Sequence, residues 1–460
     1  VPALPPRPSE ACIEALAAEL RARAPGLELI TANQPAELAR LSRDYFDYSP
    51  VLVPRLADQR AQLVVRATGV VEVQEVAAAC ARAGVPLTLR GAGTGNYGQC
   101  VPLAGGVVLD LSGLQRLRSL HPDTGVIEVE AGAVMAAIEA QLAPQGRALR
   151  LRPSTVRTAT IGGFIAGGSG GIGSLRWGFL RDAGNLLGLE VVTVEPEPRL
   201  LQLDAAASAP LNHAYGCNGI VTAVRLPTCE AVVWQQLVVG FASWSQALEA
   251  TRELLTTALA LESVTLLEAP IAQASPWPAG CVPAAEGEHR LLLLAAPDAL
   301  AVLPAWLAAR GGQLCWQAPQ GLSRGLPLRE LSWNHTTLHW RAQHPGWTYL
   351  QMLLPQPERP LLEEVSRGWA GDLHWHLEAV RHQGCARLAA LPLLRWQGEE
   401  ALERLMVQLR QAGAVLFNPH VITVEEGGLG VIDADQVAAK VAYDPAGLLN
   451  PGKLRGWLER

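Results

Sequence analysis

Lysine is nearly missing from this chain: of its 37 basic residues only Lys440 and Lys453 are lysine. The bias towards arginine fits a GC-rich bacterial genome and makes each lysine conspicuous. Lys453 reads either as a solvated tail residue or as a compact ammonium placed on a cofactor or its phosphates. No C-x-x-C pair occurs among the eight cysteines at 12, 80, 100, 217, 229, 281, 315 and 385, which argues against iron–sulfur clusters and zinc ribbons. Reduced cytosolic thiols are the simplest reading. Positive charge is not in excess. The net charge of −6 disfavours a general nucleic-acid binder, which usually carries a basic face. The N-terminus lacks a basic region followed by an apolar one, so no signal peptide is expected, and no run of 18 apolar residues suggests a membrane span. The expected location is cytoplasmic.

What is abundant is glycine, gathered in two stretches. The first is Arg90-Gly91-Ala92-Gly93-Thr94-Gly95, directly after the strand-like Pro86–Leu89. The second runs from Thr160-Ile161-Gly162-Gly163 through Gly170-Gly171 to Gly173. Glycine at this density lets backbone approach a ligand and present N–H groups to it. Two such loops suggest a large, extended, anionic cofactor. Gly93-Thr94-Gly95-Asn96-Tyr97-Gly98 fits G-x-G-x-x-G, but that fingerprint needs a helix after the turn. Here Gln99–Gly106 leads straight into another strand, Val107–Asp110, with no room for a crossover helix. A Rossmann site is rejected and a strand–loop–strand phosphate cradle is retained.

The order of these motifs resembles the FAD-binding domain of the vanillyl-alcohol oxidase / p-cresol methylhydroxylase (PCMH-type) family, in its glycolate oxidase / D-lactate dehydrogenase branch. Arg90, Gly91, Ala92, Gly93, Thr94 and Gly95 resemble its pyrophosphate loop. Pro153, Ser154 and Thr155, with Thr160, Gly162, Gly163, Gly170 and Gly171, resemble its second flavin-binding stretch. Trp177-Gly178 resembles an aromatic–glycine pair, and Gly216–Thr222, including Gly219 and Ile220, a shortened adenine-side loop. Asp444–Lys453, with Asn450 and Lys453, resembles the C-terminal signature. The resemblance implies FAD and an α+β fold: a two-part PCMH-type FAD-binding domain plus an antiparallel cap. It is close over roughly 60–228 and 440–455 and loose between. Covalent flavin attachment in this superfamily usually uses a histidine in the first loop. Arg90–Gly98 has none, so non-covalent FAD is expected.

The length suits two or three domains, and a hydrophobic content of 49% is ample for their cores. The organisation expected is a helical segment at 1–55, an FAD-binding domain at 56–230, a cap at 231–420, and a return to the FAD domain at 421–460. Within the cap the order strand 232–239, helix 244–259, strands 263–267 and 291–295, helix 298–310, strand 313–316 is β-α-β-β-α-β, a ferredoxin-like unit. A looser second pass follows it.

Flavin oxidation of a 2-hydroxy acid needs the substrate carbon against the flavin, a cation for its carboxylate and a base for its hydroxyl proton. Three cap clusters are candidates. Trp333–Arg341 offers Asn334, His335 and Thr337 as pocket groups, with a capped helix start as the alternative. Gly371-Asp372-Leu373-His374-Trp375-His376 would, as one strand, point His374 and His376 the same way. They could be pocket acid/base groups or weak metal candidates. The branch often has a further histidine where Trp369 stands, and Glu425-Glu426-Gly427 lacks the histidine of the family's glutamate–histidine–glycine element, so no metal is expected. Phe417-Asn418-Pro419-His420 places His420 either in a pocket or in a backbone-bonded turn. The leading expectation is an FAD-dependent oxidoreductase acting on a small hydroxy acid or related alcohol, with an unnamed electron acceptor, no nucleic acid and no membrane span. The alternatives are a flavin-binding subunit without that activity and an NADPH-reduced flavoenzyme of the muramate-precursor type.

Overall fold

The computed structural model describes residues 4–168, 170–321 and 325–460; Ser169 of the second glycine-rich stretch lies outside them. Near the N-terminus, β1 (Glu28–Ile30), β2 (Leu63–Arg66), β3 (Leu87–Arg90) and β4 (Val107–Asp110) form a sheet in the order β1-β2-β4-β3. The β2–β4 and β3–β4 pairs are parallel. Their apolar runs suit strands covered on both faces. The helix Val70–Ala83 links β2 to β3, buries Val73, Val76, Ala77 and Cys80 on one face, and ends on Gly84 at φ +64°, a left-handed cap that favours glycine.

A second, antiparallel sheet follows. It contains β5 (Leu117–Leu120), β6 (Val126–Glu130), β7 (Arg147–Leu149), β8 (Gly188–Val192), β9 (Leu200–Asp204) and β10 (Ile220–Glu230) in the order β5-β6-β10-β8-β9, with β7 also paired to β10. Between β7 and β8 the second glycine-rich stretch departs from the expected loop, because Ile161–Gly167 is a helix. Thr160 caps it, its Oγ1 accepting from the Gly163 N–H at 3.3 Å. The run of small residues hid the helix, since glycine has poor helix propensity. Tertiary packing overrides that preference: a Cβ on Gly162 would lie 2.8 Å from the Ala131 carbonyl oxygen.

The remaining strands are β11 (Gln235–Phe241), β12 (Leu261–Leu267), β13 (His289–Ala295), β14 (Gln313–Pro319), β15 (Trp347–Tyr349), β16 (Met352–Leu353), β17 (Leu373–His374), β18 (His376–His382), β19 (Cys385–Ala390), β20 (Leu393–Arg395) and β21 (Val415–Leu416). Eight form one antiparallel sheet, β14-β11-β13-β12-β18-β19-β16-β21. Its first four, with helices Trp244–Leu254 and Leu303–Ala308, carry the ferredoxin-like order. Strands β15, β20 and β17 form a small separate sheet. The fold is α+β, two sheets with flanking helices followed by an antiparallel cap. The strand expected over 372–377 is broken: Trp375 separates β17 from β18, and the two belong to different sheets. The hairpin β18–β19 was not foreseen, because polar His376, Glu378, Arg381 and His382 break up the apolar pattern of β18 although its first five residues are buried.

Candidate flavin and substrate site

The motifs of the expected cofactor site meet in space. Gly91 of the first loop lies against Thr160, so close that a Cβ would sit 2.1 Å from its Oγ1. Gly93 has φ +68°, and a Cβ there would run into the Arg90 guanidinium. The residues just before Gly216–Thr222 dock on the Ile161–Gly167 helix: the N–H groups of His213 and Tyr215 donate to the Ile165 and Ala166 carbonyls at 3.0 and 3.1 Å. Both residues are held at positive φ, 56° and 52°, a strained conformation that only surrounding structure sustains. From the C-terminal segment, the Asn450 amide donates to the Gln99 carbonyl at 2.8 Å and the Tyr215 carbonyl at 2.7 Å.

Not every nominated residue is free to touch a cofactor. Lys453 is fully buried, and its ammonium donates to the carbonyls of Gly98, Gln99 and Val101. An ammonium has three hydrogens; all are spent, so Lys453 braces the first loop's exit and has none left for a phosphate. Burial pulls its pKa down to about 8. The Arg90 guanidinium likewise donates to the Arg43 and Ala92 carbonyls. Ala92, Thr94 and Gly95 are half-buried, leaving the loop backbone accessible from one side, and Ser154 is buried. Gly171, at φ +108°, packs on the Arg152 carbonyl, and Gly170 on Ser174 and Phe179. The Trp177 ring lies beneath the guanidiniums of Arg150 and Arg176, 4.3 and 5.1 Å from its centroid. Gly178 packs on Asp182, and Gly219, with the strand residue Ile220 beside it, on Val191 and Leu211.

Where the first loop meets the cap, three of the chain's six tyrosines converge. The Asn96 amide donates to the Tyr349 hydroxyl at 2.7 Å, and the Asn334 amide approaches it at 3.4 Å. The Tyr97 hydroxyl donates to Gln351 Oε1 at 3.3 Å. A Cβ on Gly427 would lie 2.3 Å from the Tyr215 hydroxyl and 3.2 Å from the Tyr97 ring. Burial raises all three phenols, so they stay protonated donors. The Tyr215 hydroxyl and Asn334 Oδ1 are buried without a partner, and buried polar atoms normally have one.

Each nominated histidine has a distinct setting. His376 is fully buried, with Nε2 2.7 Å from Glu378 Oε1. A carboxylate accepts, so Nε2 carries a hydrogen; Nδ1 is buried and unpartnered. The same Glu378 oxygen accepts from the Trp333 N–H at 2.6 Å. Trp333, at φ +51°, opens the helix Asn334–Gln343. Glu378 therefore ties His376 to the residue before Asn334. His335 Nδ1 lies 2.7 Å from Glu330 Oε2, a contact within its own part of the cap. His374 stacks on Trp347 at 5.1 Å between ring centroids and shares no partner with His376, so the expected pairing of the two does not form. His420 is committed at both nitrogens: Nε2–H donates to the Tyr349 carbonyl at 2.9 Å and Nδ1 accepts from the Ser49 hydroxyl at 2.8 Å. Burial pushes it down to about 4. It is a neutral brace behind Tyr349, which is the backbone-bonded alternative.

The residues fit a flavin. The first loop supplies a glycine cradle that a Cβ would fill at Gly93, and the loop–cap junction supplies orphaned donors and acceptors. Tyr215, Tyr349, Gln351 and Glu378 escaped sequence reasoning, because none lies in a motif and their convergence is tertiary. The scarcity of tyrosine was the one available signal.

Residues 61–198 match the family described as FAD binding domain. The glycolate oxidase subunit GlcD of Escherichia coli K12 is 30% identical over 216 residues, 45% of this chain and 40% of GlcD. A D-lactate dehydrogenase of Anaerostipes hadrus is 28% identical over 123 residues, 27% of this chain and 26% of that protein. The matched stretch thus spans less than half the length of either relative. Across the whole fold, alkyldihydroxyacetonephosphate synthase superposes with a TM-score of 0.74, covering 98% of this chain and 86% of that one at 14% identity; this is a likeness of fold alone.

Proposed function

We propose that this chain, whose FAD binding domain places it in the PCMH-type FAD oxidase family, oxidises a small 2-hydroxy acid of the glycolate or D-lactate kind, or a related alcohol, using non-covalently held FAD. The observation that carries the reading is the convergence of both glycine-rich stretches on a buried polar junction with the cap, where Asn334 and Tyr215 present unpartnered atoms. When bound, the flavin supplies the acceptor for a hydride equivalent. The chain supplies position and proton handling. Gly91, Gly93 and Gly95 give backbone access to the cofactor. Asn334 and Tyr349 orient the substrate hydroxyl. His376 accepts the hydroxyl proton at Nδ1, and Glu378 fixes its tautomer and steadies the imidazolium that forms. The proposal keeps the division into 1–55, 56–230, 231–420 and 421–460, with the first and last segments serving the FAD domain.

An anaerobic visible spectrum, titrated with glycolate, D-lactate and L-lactate, tests it. Bleaching of the bound flavin by one of them supports the reading and selects the substrate. A flavin that none bleaches defeats the hydroxy-acid reading and favours a flavin-binding subunit or, if NADPH bleaches it, an NADPH-reduced enzyme.

A further inference from the structure

Apart from the tyrosine junction, a second cleft opens between the strand before Pro153 and the cap. It is lined by Arg152, Ile172, Trp234, Glu262, Gln320 and Arg329. The cations outnumber the anions here. Arg152 and Arg176 share Glu262, Glu139 lies 3.6 Å from Arg152, and Glu330 is already paired with Arg157 and His335. Arg329 is left over. Its guanidinium forms no hydrogen bond or ion pair with any described residue. The Nε atoms of both Arg152 and Arg329 are buried without an acceptor. A guanidinium N–H left dry and unpaired is costly, and both of these arginines line the one cleft.

We propose that this cleft is an oxyanion-binding site, taking a carboxylate or phosphate group between Arg152 and Arg329, with Gln320 at its rim. The ligand would accept from the two orphaned N–H groups, the planar fork of arginine being suited to such oxygens. Burial depresses Arg329; Glu330 and Glu139 oppose the shift, while the neighbouring charges of Arg152 and Arg157 add to it, a repulsion that an anion in the cleft would reduce. Arg152, Gln320 and Arg329 lie outside the flavin motifs and the hydroxyl-handling set, although Ile172 of the lining belongs to the second glycine-rich stretch; the inference stands whether or not a hydroxy acid is oxidised. Two sources share the chemistry: the second carboxylate of a dicarboxylic acid, and a phosphate group.

The test uses the FAD-loaded protein at constant ionic strength and follows Tm against phosphate, acetate and glutarate. A saturable rise of about 2 °C or more at high anion is expected for at least one. A rise with phosphate alone identifies a phosphate site; a rise with glutarate exceeding that with acetate identifies a dicarboxylate site. In Arg329→Gln the anion-dependent rise disappears, while the anion-free Tm stays level or increases because a repelled cation has gone. Arg329→Lys keeps the charge without the fork and retains part of the rise. Absence of a saturable rise with any anion, or its persistence in Arg329→Gln, overturns the proposal.

Discussion

Gly93 and Gly163 occupy similar glycine-rich motifs but differ in what surrounds them. At Gly93 a side chain meets both a left-handed backbone and the Arg90 guanidinium; Gly93→Val should abolish flavin binding, measured as the FAD absorbance that co-purifies. At Gly163 the nearest atom is Thr160 Oγ1, which can rotate away, so Gly163→Ala should keep most of its flavin. Gly162, pressed on Ala131 backbone, is the intolerant member of that pair. His376→Gln removes the unpartnered Nδ1 without touching the cradle. The expected result is normal FAD loading with flavin reduction slowed at least ~100-fold, the usual worth of a general base. An unchanged rate in stopped flow would return His376 to a purely structural role. His420→Gln, by contrast, should alter stability more than reduction rate, since both its nitrogens serve packing.

At the scale of elements, the chain's two lysines explain their own rarity. Lys453 spends its three hydrogens on the carbonyls where the first loop turns back. Lys440 spends its own on the Cys217 carbonyl, Asp444 and the Leu449 carbonyl, binding its helix to the C-terminal turn. A small ammonium can serve three converging acceptors at one point; a planar guanidinium cannot. Arginine replaces lysine almost everywhere else in this chain, yet Lys440→Arg and Lys453→Arg should each cost on the order of 3 kcal/mol, because buried acceptors lose their donor. Chemical denaturation measures the cost, and a loss below ~0.5 kcal/mol would refute the geometric argument. Lys453→Arg should also weaken FAD binding through the displaced loop.

For the molecule as a whole, the balance of buried titratable groups sets its response to acid. Burial pushes His213, His374 and His420 down to about 4. Unfolded, they take up protons near pH 6.5, so the unfolded state binds more protons between pH 6.5 and 4 and stability falls on acidification through that window. Glu268 and Asp44 act oppositely. Burial raises them to about 7 and about 6, so the folded state binds their protons first and stability that they cost at neutral pH returns as pH falls. Three histidines against two carboxyls leave about one proton in favour of unfolding between pH 6 and 4.5, a slope of ~1.4 kcal/mol per pH unit. The lowered His289 and His339 add in the same direction. Tm measured against pH should therefore drop below pH 6, and His420→Gln should flatten the drop; a Tm that is level from pH 6.5 to 4.5 would contradict the assignment.

Local pattern was enough for the elements whose information is local. The helix Val70–Ala83 with its Gly84 stop, the strand–loop–strand at 87–110 and the β-α-β-β-α-β order of the cap all follow from apolar period and turn residues. The order of the glycine motifs was likewise enough to indicate FAD. The helix at Ile161–Gly167 was illegible, because packing against Ala131 outweighs the poor propensity of its glycines. So was the break at Trp375, which sends His374 and His376 to different sheets. The donors and acceptors of the loop–cap junction come from residues as far apart as Asn96, Tyr215, Asn334, Tyr349 and Glu378. Which of their polar atoms are satisfied, and which are left open for a ligand, depends on burial and on partners hundreds of positions away; pairings of that kind leave no trace in spacing and exist only once the chain has folded.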